Sequence, residues 1–136
     1  MNLQTFTSFT GRIPRKTFWL AFLVMLVISW ILQFIVFSIF GTSMMVMDPN
    51  ATPEAQGMAM MEAMSNMMLP LGIVILLTLW PSLAVYTKRW HDRNKSGWWS
   101  LIMFVPIIGG IWMLVELGFL RGTEGANNYG PDPIVD

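Results

Sequence analysis

The sequence predicts an all-α integral membrane protein with three transmembrane helices and an amphipathic methionine-rich segment between the first two. Three observations carry this. Of 136 residues, 54% are hydrophobic and only 12% are charged, about half the charged share of a soluble domain. Three long apolar runs lie at about 17–40, 69–87 and 98–120, the first two uncharged and the third with a single acid. The cations cluster beside the ends of those runs, as topology signals do. A formal net charge of zero argues against a nucleic-acid partner. Absence of cysteine excludes disulfides, thiolate metal sites and cysteine nucleophiles. No repeat or polar linker divides the chain, so 1–136 is read as one helical membrane domain.

The first run, Thr17 to Phe40, has 24 residues, enough at about 1.5 Å per residue to cross a hydrocarbon core of about 30 Å. It is too long for the apolar core of a cleaved signal peptide and is expected to stay as an anchor. Gly41 to Met68 holds Asp48, Glu54 and Glu62 but no lysine or arginine, so it should face away from the cytoplasm. Nine of the 13 methionines fall between Met44 and Met68. Thr52 as cap and Pro53 at the first helical position predict an amphipathic helix lying on or leading into the membrane. The second run, Leu69 to Thr87, is opened by Pro70 and interrupted by Pro81, which should bend it. The third, Trp98 to Leu120, follows Ser96 as N-cap, carries one acid, Glu116, and has a soft centre at Pro106, Gly109 and Gly110. A full span is the leading reading of this run. A hairpin that dips in and returns is the alternative.

Arg12, Arg15 and Lys16 precede the first run, and Lys88, Arg89, Arg93 and Lys95 separate the second from the third. Seven of eight cations therefore lie on one side, and the amino terminus is predicted cytoplasmic. Three full spans would leave the tail from Arg121 outside, whereas a hairpin would bring it back. Trp19, Trp90, Trp98 and Trp99 fall beside the cationic segments and are expected to mark the cytoplasmic interface.

Asp92 stands among four cations and can accept several charge-assisted hydrogen bonds, including from Arg12 or Arg15, which would tie spans together. His91 and Asp92 make a poor general-base pair, since adjacent helical residues point apart and no nucleophile is evident. A lone histidine is equally poor as a zinc site. No catalytic residue, cofactor or enzymatic activity is therefore expected. The expected function is contact with anionic lipid or a protein partner through a cytoplasmic face of Arg12, Arg15, Lys16, Lys88, Arg89, His91, Asp92, Arg93, Lys95, Trp98 and Trp99. One alternative is capture of Cu(I) by the thioethers of Met58, Met61, Met64 and Met68. Another is a subunit of an oligomeric transporter or channel, because three spans alone enclose little. The Gly118 to Gly122 spacing fits a helix-dimer motif and a homo-oligomer. Glu116 is expected to reach the interface or pair locally rather than relay protons.

Three segments, GRIPRKTFW at 11–19, RWHDRNKSGWW at 89–99 and NNYGPDP at 127–133, resemble the family called domain of unknown function 805. The resemblance covers nearly the whole chain and includes the proline and glycine inside the third run. Lys88, Arg89 and Trp90 stand where the family more often has two arginines and a leucine. The methionine-rich stretch lies outside the family pattern. The resemblance implies a small multi-pass protein of the bacterial inner membrane and supplies no activity to carry over.

Overall fold

A computed structural model describes residues 2–41, 48 and 50–134. The described residues carry a short helix α1 (Gln4–Thr7), two long helices α2 (Arg15–Phe40) and α3 (Pro53–Asp92), a 3-10 helix (Gly97–Phe104), a short α4 (Ile108–Met113) and a π-helical turn (Leu114–Phe119). Two helices, α2 and α3, are long and apolar enough to cross a membrane, and Ile108–Phe119 is a shorter apolar helix.

Local chemistry sets the boundaries. Pro53 opens α3, and the Thr52 hydroxyl accepts the Ala55 N–H at 3.3 Å, the capping the sequence predicts. The other end is a Schellman motif. Asn94 takes the left-handed conformation, φ 55°, while the Lys95 N–H bonds the Trp90 carbonyl and the Asn94 N–H bonds that of His91, both at 2.9 Å. Pro70 and Pro81 lie inside α3 without ending it, each removing only its own backbone donor from a helix of 40 residues. The second span and the methionine-rich stretch thus share one helix. Met44, Met45 and Met47 lie outside the described residues.

The predicted third span, 98–120, is not one helix. Ser96 caps the 3-10 helix by accepting the Trp98 N–H at 3.4 Å, as expected. The chain then turns back at Pro106–Ile108, where the Ile108 N–H donates to the Pro106 carbonyl at 2.7 Å and Ile107 has φ 65° and ψ −60°. This is the γ-turn of rare hand, strained for a β-branched residue. Gly109 is required beside it, since a Cβ there would stand 1.8 Å from the Ile102 carbonyl oxygen. Counting uncharged residues could not separate a span from this hairpin, because both are equally apolar.

The described residues form two compact units. One comprises residues 2–25 and 79–134, the other those within 26–78. The first has an apolar core of Ile13, Phe18, Ala21, Val85, Trp90, Met113 and Leu117. Trp90, predicted at the interface, is fully buried there, whereas Trp98 and Trp99 are exposed. In the second unit Val36, Ala63 and Val74 are buried, while Trp30, Phe34, Leu69 and Leu76 are exposed. The Ser38, Ser65 and Thr78 hydroxyls return to carbonyls of their own helices, which satisfies them without water.

Candidate functional site

Several charged residues of the first unit converge on the turned-back third segment and the tail. Asp92, at the end of α3, is 1% exposed and accepts from two arginines. Arg12 approaches its Oδ1 through Nε at 3.1 Å and Nη2 at 3.0 Å. Arg89, one turn earlier on α3, donates Nη1 to Oδ2. Both guanidinium groups are buried, and two cations on one carboxylate leave donors to be satisfied elsewhere.

Main-chain carbonyls supply the acceptors. Arg12 donates to the carbonyls of Thr123 at 2.6 Å, Gly125 at 2.7 Å and Gly130 at 3.2 Å. Arg89 donates to those of Leu117 at 2.6 Å and Leu120. Arg15 reaches Phe119 O at 2.9 Å, and the Trp19 indole N–H reaches Gly118 O at 3.1 Å. The carbonyls left without helical partners at the end of Leu114–Phe119 are thus capped by side chains from α2 and α3, and cations meet the negative end of the helix.

A second carboxylate repeats the pattern. Glu116 binds Lys95 at 2.6 Å and Arg93 at 3.1 Å, so its local pairing is with the loop after α3, while Arg121 pairs with Glu124 at 2.9 Å. Lys95 also sits 5.6 Å over the Trp90 ring and 5.4 Å over that of Trp99, within cation–π range. Lys88 donates to the Gln4 carbonyl.

The tail closes the arrangement. Asn127 and Gly130 exchange backbone hydrogen bonds at 3.0 and 3.2 Å, forming a tight turn. The Asn127 amide donates to His91 O at 2.8 Å and to the Thr123 hydroxyl at 2.7 Å, while the Thr123 N–H donates to Asp92 O at 2.8 Å. The Tyr129 ring stacks on His91 at 3.9 Å. His91 in turn bonds Gly11 O through Nδ1 at 3.2 Å. Asp132 accepts the N–H groups of Ile134 and Gly125, chiefly the former, which hold its carboxyl below the usual aspartate range. Gly118 and Gly122 are both closely packed within this unit. A Cβ on Gly118 would come within 2.8 Å of the Trp19 ring, and one on Gly122 within 2.0 Å of Asp92 Oδ2.

Of the predicted residues, Arg12, Arg15, Arg89, His91, Asp92, Arg93 and Lys95 are brought together around the turned-back segment and the tail, an arrangement we call the clasp, while Lys88 bonds Gln4 in α1 instead. Lys16, Trp98 and Trp99 stand exposed on the same unit. Met58, Met61, Met64 and Met68 lie on α3 in the other unit and are exposed. Sequence reasoning missed Thr123, and Asn127 and Tyr129 entered it only as family letters. An Asn-Asn-Tyr-Gly turn was the one available signal.

A family model described as "Protein of unknown function (DUF805)" matches residues 6–131. Inner membrane protein YhaH of Escherichia coli (strain K12) is 29% identical over 134 residues, 98% of this chain and 93% of the relative. Inner membrane protein YhaI of the same strain is 30% identical over 132 residues, 96% and 90% respectively. Uncharacterized protein YiiR, also from that strain, is 28% identical over 153 residues, covering 95% and 88%. No solved structure matches.

Proposed function

The chain belongs to the DUF805 family, a family of unknown function with bacterial inner-membrane members, and from that premise we propose a non-enzymatic two-span protein that anchors anionic lipid at the cytoplasmic surface. In this reading α2 and α3 cross the membrane, and residues 98–119 form a re-entrant hairpin. The amino terminus, the loop after α3 and the tail all lie in the cytoplasm. Length supports the hairpin. Eight 3-10 residues at about 2 Å rise reach about 16 Å, and the 12 residues of the returning arm at most about 18 Å, roughly half of a 30 Å core. The apolar tip supports it too, since Phe104 and Ile107 are 76% and 81% exposed and lipid is their natural solvent.

The observation that carries the lipid reading is the division of labour among the cations. Arg12 and Arg89 are satisfied inside the clasp and unavailable to a ligand. Lys16 is exposed, as are Trp98 and Trp99, the residue types that meet anionic headgroups at an interface. The test is lipid retention after purification from membranes of mixed phosphatidylethanolamine and phosphatidylglycerol. Lys16→Gln should lower retained phosphatidylglycerol about fivefold, the equivalent of about 1 kcal/mol per base, without changing the melting temperature. Unchanged retention would overturn the proposal.

Copper binding is a second reading, supported by exposure. Met61 with Met64, and Met64 with Met68, are helical neighbours whose thioethers are open. Replacing Met58, Met61, Met64 and Met68 by leucine should abolish Cu(I) binding, and an unaltered titration would remove it.

A further inference from the structure

A cavity of about 460 Å³ lies in the first unit, walled by Phe9, Leu83, Thr87, His91, Ser100 and Leu101, with Ser96, Gly97 and Trp98 completing it. It shares His91 with the clasp but is otherwise lined by residues outside it. Ser100 is 5% exposed and its hydroxyl has no hydrogen-bond partner, an unusual state for a buried polar group. Gly97 keeps the wall open beside Thr87, because a Cβ there would fall 2.6 Å from the threonine methyl.

The lining chemistry narrows the occupant. Among the described residues no carboxylate, ammonium or guanidinium group lines the cavity, so those residues do not complement an ionic headgroup. Its volume is that of a small-ligand site, largely apolar with a few polar groups. Because Gly11 O can only accept, the hydrogen bond at 3.2 Å puts the proton of a neutral His91 on Nδ1, leaving Nε2 as an acceptor. The Ser100 and Thr87 hydroxyls can each donate or accept. Together they suit a hydroxyl, which both donates and accepts, carried on a hydrocarbon body that fits Phe9, Leu83, Trp98 and Leu101.

We propose that this cavity binds a neutral amphiphile through a hydroxyl group on a hydrocarbon tail, held by His91, Ser100 and Thr87. Such chemistry comes from two membrane sources, an acylglycerol or a tailed hydroquinone. Native mass spectrometry of the purified full-length protein distinguishes them, using monoolein in one arm and anaerobic decyl-hydroquinone in the other, with methyl oleate as the analogue lacking a hydroxyl.

One saturable equivalent of monoolein or decyl-hydroquinone is expected, at least tenfold tighter than methyl oleate. The arm that binds identifies the source, and binding in both supports the shared chemistry. Ser100→Ala and Thr87→Val should each weaken binding about tenfold, the size of one net hydrogen bond. Ser38→Ala, in the other unit, should leave it unchanged. If Ser100→Ala misfolds, Thr87→Val carries the test alone. No saturable equivalent in either arm, equal affinity for methyl oleate, or folded variants that bind as the parent does would overturn the proposal.

Discussion

The two compact units are held by opposite means. In residues 2–25 and 79–134, Lys88, Arg89, Asp92 and Glu116 are buried beside an apolar core. Each has a partner far away in sequence, as when Asp92 meets Arg12. Within 26–78 no charged residue is buried among the described residues, and the hydroxyl bonds of Ser38 and Ser65 are local to their helices. The contrast teaches where specificity resides. A helix that is apolar all round can rest in lipid with few protein contacts, so the apolar unit requires little beyond length and hydrophobicity. The clasp unit depends on particular donors meeting particular carbonyls.

The largest expected effect follows from that difference. Asp92→Ala strands two buried guanidinium groups, and breaking such pairs costs about 3–5 kcal/mol. Denaturant titration in mild detergent should show the loss, while Val36→Ala in the apolar unit should cost far less. Equal losses would erase the contrast. A smaller change, of opposite sign, is expected at the turn. Ile107→Gly relieves a positive φ and should stabilise the protein by about 1 kcal/mol, read as a rise in melting temperature. A fall would mean that the apolar side chain matters more there than the backbone strain.

The smallest effect concerns the tail. Asp132 has its carboxyl pKa lowered by backbone N–H bonds, that of Ile134 first. Folding therefore favours the ionised form. The stabilisation is complete above the ordinary aspartate range and lost as pH falls through the lowered value. The melting-temperature gap between the parent and Asp132→Asn should be present at pH 6 and shrink towards pH 3. A gap independent of pH would assign the contact no ionic character.

Much of the architecture was legible. Uncharged runs marked α2 and the apolar stretch of α3, and the Thr52-Pro53 and Ser96 caps sit where composition put them. The lone Asp92 among cations did tie distant segments together, with Arg12 as its partner. The hairpin was legible only as an alternative, because Pro106 and Gly109 signal a break without saying which way the chain leaves it. The inward turn of Trp90 was hidden because proximity to cations predicts depth, not which helix face packs. Least legible were the main-chain destinations of Arg12, Arg15 and Arg89. A main-chain carbonyl carries no residue identity, so a donor aimed at one leaves no pattern in the sequence.

The central claim is that the clasp holds the tail on the same side of the membrane as the amino-terminal segment. The chain has no cysteine, so single cysteines introduced at Asn50 and Ala126, both surface positions outside the apolar runs, report sidedness cleanly. With a membrane-impermeant maleimide added to intact spheroplasts, Asn50→Cys should label at once and Ala126→Cys only after lysis. Labelling of Ala126→Cys in intact spheroplasts, alongside Asn50→Cys, would place the tail outside, restore a third full span and contradict the clasp.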